Sequence, residues 1–165
     1  MIRPTRPEDT PELLRITAGT GNFLPADVEA LHAVLDDYHR SEYSENHRSI
    51  TYEDNGRIIG FAYYAPASMT DRTWYLWWIV VSKEIQARGI GGQLLREVEA
   101  GVRAQNGRLL LLETSSLPSY ELTRRFYLKN GYDVLAVLKD YYADGHDMVV
   151  FRKRLTPASS GERPA

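Results

Sequence analysis

The sequence predicts an α/β domain of the α+β kind: a mixed, largely antiparallel sheet of about seven strands with helices on both faces, in the order β-α-α-β-β-β-α-β-α-β-β. Three observations carry that prediction. Asn55-Gly56 separates two strand-like runs, 49–54 and 57–64, and Asn-Gly is the strongest short-range hairpin signal because both central residues of a type I′ turn need positive φ. Two further runs, 74–81 and 108–114, are apolar on both alternating faces, which predicts central strands covered on both sides. Each is followed by a stretch of helical periodicity, so helical crossovers alternate with hairpins.

Taken in order, Ile2 to Thr5 reads as a short first strand. Pro7-Glu8-Asp9 reads as a first helical turn, since proline needs no donor there and the acids suit the positive end of the dipole. Leu13, Leu14 and Ile16 give that helix an apolar side, and Gly19 to Gly21 end it. Val28, Leu31, Val34 and Leu35 mark an amphipathic second helix over residues 25–38. After the hairpin and the strand at 74–81, Leu94, Leu95, Val98 and Val102 line one face of a third helix that Asn106-Gly107 stops. Residues 115–119 form a Ser/Pro loop, and a fourth helix over 120–130, with Leu122 and Phe126 on its apolar stripe, ends at Gly131. Runs 132–138 and 147–155 close the domain as two strands around Asp144-Gly145. The domain spans 1–155, and the Pro-, Ser- and Ala-rich residues 156–165 predict a disordered tail.

Composition sets the outer limits. A chain of 165 residues suits one domain with one core. Twenty basic and 22 acidic side chains leave a net charge of −2, so no basic excess exists to neutralise a run of phosphates and nucleic acid is not expected as a partner. There is no cysteine, which excludes disulfides, thiolate metal sites and cysteine nucleophiles. His32, His39, His47 and His146 show no metal spacing. The N-terminal residues carry no apolar stretch resembling a signal peptide, and no segment approaches the roughly 20 apolar residues that span a bilayer. The expectation is a cytoplasmic protein with neither a metal nor a membrane partner.

The chemistry concentrates at residues 86–92. A buried strand, then a Gly-rich turn and a helix start, is a place to hold phosphate, because orphan N–H groups and the helix dipole point outward there. Gly89, Gly91 and Gly92 remove Cβ atoms from that approach; a tight turn using glycines only for shape is the other reading. Neither the dinucleotide fingerprint nor the P-loop fits. What fits is [Gln/Arg]-x-x-Gly-x-[Gly/Ala], met in full by Gln86-Ala87-Arg88-Gly89-Ile90-Gly91. With the apolar strand ending Ile79-Val80-Val81 before it and Phe126-Tyr127-Leu128-Lys129-Asn130-Gly131-Tyr132 downstream, the sequence resembles the GNAT superfamily of N-acetyltransferases over nearly its whole length.

That resemblance implies an acyl-CoA-dependent N-acyltransferase, most simply one taking acetyl from acetyl-CoA. Gln86, Ala87, Arg88, Gly89, Ile90, Gly91 and Gly92 would cradle the pyrophosphate of coenzyme A. Ile79, Val80 and Val81 would offer main-chain groups to the pantetheine arm where two parallel strands splay, and an N–H near Val81 would polarise the thioester carbonyl. The resemblance also implies a small-molecule or protein amine as acceptor and is compatible with a homodimer. Two positions depart from the family: Trp77 and Trp78 stand where other members place a glutamate, and no asparagine follows Glu113 closely.

Tyr127 is the candidate acid, since the resemblance places it beside the departing sulfur and a phenol keeps its proton at neutral pH; a core aromatic is the alternative. Glu113 is the candidate base, ending an apolar strand where a lone carboxylate is costly unless paired or functional; a structural pair with an arginine, or a capping bond within 114–116, is the alternative. Without a thiol, direct transfer in a ternary complex is expected over an acyl-enzyme. A silent acyl-CoA-sensing module of the same fold is the second hypothesis, and a phosphotransferase ranks below both for want of a P-loop or metal site.

Overall fold

Asn55 and Gly56 adopt φ of 49° and 76°, the two positive values that a type I′ turn demands. They join β2 (Arg48–Asp54) to β3 (Arg57–Pro66). The computed structural model describes residues 1–40, 46–86 and 88–156. Ala87 and all of the expected tail beyond Thr156 lie outside them. The described chain adds β1 (Ile2–Pro4), β4 (Thr73–Val81), β5 (Leu109–Ser115), β6 (Asp133–Ala143) and β7 (His146–Arg154), with helices α1 (Thr10–Gly19), α2 (Pro25–His39), α3 (Ile90–Ala104) and α4 (Glu121–Lys129). The sheet runs β1-β2-β3-β4-β5-β7-β6. Only β4 and β5 are parallel; every other pair is antiparallel.

Two cores sandwich the sheet. On one face α3 presents Leu95, Val98 and Val102, and α4 presents Tyr127, to Leu76 of β4, Leu110 and Leu112 of β5, and Phe151 of β7. On the other, Leu13 and Ile16 of α1 and Leu31 and Leu35 of α2 pack on Phe61, Tyr63 and Val80. The spacing of those apolar residues is what the sequence predicts for each helix. Asp9, expected as an acid for the α1 dipole, also receives bonds from the Arg3 guanidinium at 2.7 and 3.0 Å and the Arg6 N–H at 2.8 Å, which ties β1 to α1.

Two expectations need correction. β4 is not covered on both sides: Trp77 is 55% exposed. The cause is a β-bulge, since Tyr64 pairs with Leu76 and Tyr63 with Trp78, leaving Trp77 as the extra residue of β4. Leu122, expected on the apolar stripe of the fourth helix, is 79% exposed, while Tyr127 is the buried residue of α4.

A buried charge network fastens α3 to the far side of the sheet. Lys153 of β7 donates to both oxygens of Glu99 and to the carbonyl of Asn130, each at 3.0 Å. The Tyr132 hydroxyl donates to Glu99 at 3.0 Å. Glu99 is nearly inaccessible while Lys153 keeps a quarter of its side chain in water. Glu99→Ala strands the ammonium and the phenol together, so it should cost about 3 kcal/mol in denaturant unfolding at unchanged m-value. A loss under about 1 kcal/mol would mean that water rescues Lys153 and that the network is not structural.

Candidate active site

β4 and β5 pair over only three positions, from Thr73 with Leu109 to Tyr75 with Leu111. Beyond them β4 stays with β3 through Val81 and β5 stays with β7 through Ser115. The two parallel strands therefore diverge, starting where the bulge at Trp77 bends β4. Ile79, Val80 and Val81 pair with Ala62, Phe61 and Gly60 on one side. On the other side they face the gap, and alternate peptide groups of such a strand point into it.

The Gly-rich segment sits at the end of that gap. Ser82 donates its N–H to the Ile59 carbonyl at 2.9 Å, and Gln86 folds its side-chain amide back onto the Val81 carbonyl at 3.3 Å. Gln86 thus shapes the loop rather than pointing away from it. Gly89 caps α3 with φ +75°, a conformation that costs an L side chain roughly 1–2 kcal/mol. Ile90 is buried with Ile59 and Leu94 and fixes the direction in which α3 starts. The first intrahelical bond runs from Gln93 to Gly89, so the N–H groups of Ile90, Gly91 and Gly92 have no partner within the helix. Arg88 is exposed beside them. Arg96, a residue the sequence reading passed over, lays its guanidinium across Gly92, 3.3 Å from where a Cβ would stand. It forms no ion pair with another described residue. Its signal was present in the sequence as the position one helical turn beyond Gly92.

Tyr127 and Glu113 do not meet; they approach the gap from opposite faces. Tyr127 lies in the α3–α4 core together with Leu76 and Leu112, which stand just past the last paired residues of β4 and β5. It packs against Phe126, Tyr132 and Phe151 with ring centroids 5.2–5.8 Å apart. Burial pushes its phenol well above the ordinary value. Its hydroxyl bonds to no other described residue, although the ring is only 5% exposed. Such a hydroxyl holds its proton and has it free to donate.

On β5 the side chains alternate, so Leu110, Leu112 and Thr114 face the helices α3 and α4, and Glu113 faces the other way. Among the described residues neither an arginine nor a capping bond engages Glu113; instead it accepts a bond from the Tyr75 hydroxyl at 2.5 Å. Tyr75 stacks on Trp77 with centroids 4.4 Å apart. Burial first, and then this bond to Glu113, drives the Tyr75 phenol far up. Tyr142 of β6 is pushed up to about 12 by burial and by the Glu113 charge, and its ring lies 4.7 Å from that of His146. His146 Nε2 bonds Ser115 Oγ at 2.7 Å. The Glu113 carboxylate thus lies among aromatic side chains, an arrangement chemically able to attract a cation. Nothing local in the sequence shows which of the aromatics in β4 the bulge exposes.

Residues 45–134 match the family model described as acetyltransferase (GNAT) domain. An uncharacterised N-acetyltransferase of Methanocaldococcus jannaschii is 33% identical over 103 residues, which cover 62% of this chain and 63% of that relative; the chain thus spans about three fifths of the length of the curated relative it matches. A crystal structure from Desulfovibrio desulfuricans, described as an acetyltransferase of the GNAT family, superposes with a TM-score of 0.91 at 32% identity, over 94% of this chain and 99% of that one. An aminoglycoside 6′-N-acetyltransferase crystallised with coenzyme A has the same fold at 17% identity, with a TM-score of 0.76 over 97% of this chain and 99% of that one.

Since no described residue bonds the Tyr127 hydroxyl, Tyr127→Phe should leave stability within about 0.5 kcal/mol of the parent, whereas Tyr127→Ala should lose about 3–5 kcal/mol of core packing. Thermal or chemical unfolding of the pair measures this. A phenylalanine variant more than 1 kcal/mol weaker would show that the hydroxyl has a structural partner after all.

Proposed function

The chain belongs to the GNAT acetyltransferase family, and from that premise we propose that it moves an acetyl group from acetyl-CoA directly to an amine within a ternary complex. The observation that carries the reading is the gap between β4 and β5, which has the glycine start of α3 at its end, a buried phenol with a free hydroxyl on one face, and a carboxylate on the other.

The fit to coenzyme A rests on this chain's own groups. Unpartnered N–H groups at Ile90, Gly91 and Gly92, with Arg88 and Arg96 beside them, suit a pyrophosphate. The Val81 end of β4 supplies main-chain donors and acceptors to an extended arm that takes the place of the missing strand pairing, and so orients it. A fixed N–H near Val81 stabilises negative charge on the carbonyl oxygen as it develops. Glu113, reached from the face of α1 and α2, receives the proton that the attacking amine must shed, directly or through water. Tyr127 gives its hydroxyl proton to the departing sulfur, and burial keeps that proton in place across the neutral range. The acceptor is a small-molecule or protein amine that meets Glu113 with its cationic form and lays its apolar part on Trp77 and Tyr142.

Calorimetric titration of acetyl-CoA, with ATP as the control ligand, tests the cofactor half of the reading; binding of acetyl-CoA alone is expected. Thiol release in an amine screen then tests transfer, free of protein background because the chain has no cysteine. Tyr127→Phe and Glu113→Gln should each lower kcat about 100-fold with acetyl-CoA affinity unchanged, and initial-velocity lines should intersect. Failure of every acyl-CoA to bind would overturn the loop assignment. Tight binding without turnover on any amine would favour a sensing module instead, and a ping-pong pattern would exclude direct transfer.

A further inference from the structure

The main-chain ladder between β4 and β5 ends at Tyr75 and Leu111, and a side-chain bond takes over where it stops. Tyr75 is the last residue of β4 with a strand partner on each side, Ala65 of β3 and Leu111 of β5. Glu113 lies two residues beyond Leu111, on the same face of the sheet, and its main chain pairs only with β7, at Val150. The Tyr75 hydroxyl reaches across the fork and donates to Glu113 Oε2 at 2.5 Å. Among the described residues it is the sole donor to that carboxylate, and Oε1 accepts no bond from any of them. We infer that Tyr75 is a positioning residue for the transfer step: it holds Glu113 by one oxygen, so that the other is presented in a fixed place to the acceptor's ammonium. The inference rests on the reading of Glu113 as the group that receives the amine proton.

This phenol is placed to position and not to carry a proton. Burial first, and the bond to Glu113 after it, hold its proton far above the neutral range. A phenol has a single proton to donate, and here it is committed to Oε2. The ring that bears it is itself fixed. It stacks on Trp77 with centroids 4.4 Å apart and planes tilted by 33°, and Trp77 stands out of the core because it is the extra residue of the β4 bulge. The bulge thus sets Trp77, Trp77 sets the Tyr75 ring, and the Tyr75 hydroxyl sets Glu113. An unheld glutamate side chain samples many rotamers and loses much entropy when fixed, yet a proton acceptor works only within hydrogen-bond reach of the attacking nitrogen. The neighbouring polar groups do not share the task. Tyr142 feels the Glu113 charge without bonding it, and His146 Nε2 is taken by Ser115 Oγ. A bond at this fork could instead act only as a clamp between β4 and β5. A clamp would shape the gap for every ligand in it, whereas a positioning residue acts on turnover through Glu113 alone.

Tyr75→Phe keeps the ring and its stack on Trp77 and removes only the hydroxyl. With the best amine of the thiol-release screen, kcat should fall about tenfold at unchanged acetyl-CoA affinity. In a Glu113→Gln background the same substitution should change kcat by less than about twofold, because Tyr75 acts only through the carboxylate. A tenfold loss that persists in that background, or weakened acetyl-CoA binding, would make Tyr75 a clamp or a contact in its own right and refute the inference. Full turnover by Tyr75→Phe, with Glu113→Gln impaired, would refute it and leave the base reading standing. Full turnover by Glu113→Gln would remove the base reading, and the positioning role with it. A crystal structure of Tyr75→Phe supplies a readout that needs no amine. The Glu113 carboxylate should leave its place or spread over more than one rotamer, and a carboxylate that stays wholly where the parent holds it would overturn the inference.

Discussion

The parting of β4 from β5 after three paired positions is the constraint around which the rest of the structure is arranged. Parallel neighbours in a sheet ordinarily continue together, because each broken pair leaves main-chain groups without partners. Here the bulge at Trp77 bends and twists β4 away, and β5 is held by β7 along its whole length. What remains is a gap with polar walls inside an otherwise closed sheet. An extended ligand that supplies amide groups satisfies those walls. The same bulge turns Trp77 out of the core and stacks it on Tyr75, so one extra residue both opens the gap and furnishes the surface beside it.

A gap of this kind holds its shape only if both halves of the sheet are braced independently. α1 and α2 brace β3 and β4 from one face. α3 crosses from β4 to β5 beneath the other face, and Glu99 fastens it to Lys153 of β7 and to Tyr132 just after α4. Tyr120 joins the other side, its hydroxyl bonding the Asn22 carbonyl between α1 and α2 at 2.7 Å. The groups that face the gap are therefore fixed by contacts well away from it, which is the condition for preorganised donors and acceptors.

The two ends of the sheet are managed differently. β1 is three residues long and its edge is short. β6 is long, bulged and apolar, and the bulges limit the pairing that its edge accepts.

The sequence by itself determined everything set by local rules. Asn55-Gly56 dictates its turn because few residues tolerate positive φ. The periodicity of Leu94, Leu95, Val98 and Val102 dictates the inner face of α3. The strand, glycine loop and helix pattern around Gly89 dictates where α3 starts, and a helix start leaves its first N–H groups without a partner in the helix. Only the tertiary structure decided the remainder. That Trp77 is the exposed residue of an apolar strand depends on a register shift against β3. That Leu122 is exposed while Tyr127 of the same helix is buried depends on which side of α4 meets the core. The partner of Glu113 is Tyr75, a residue on a neighbouring strand and far away in sequence. Each of these is a distance between segments, and a linear pattern of residue types fixes which way side chains point along an element but not which residues of another element they meet.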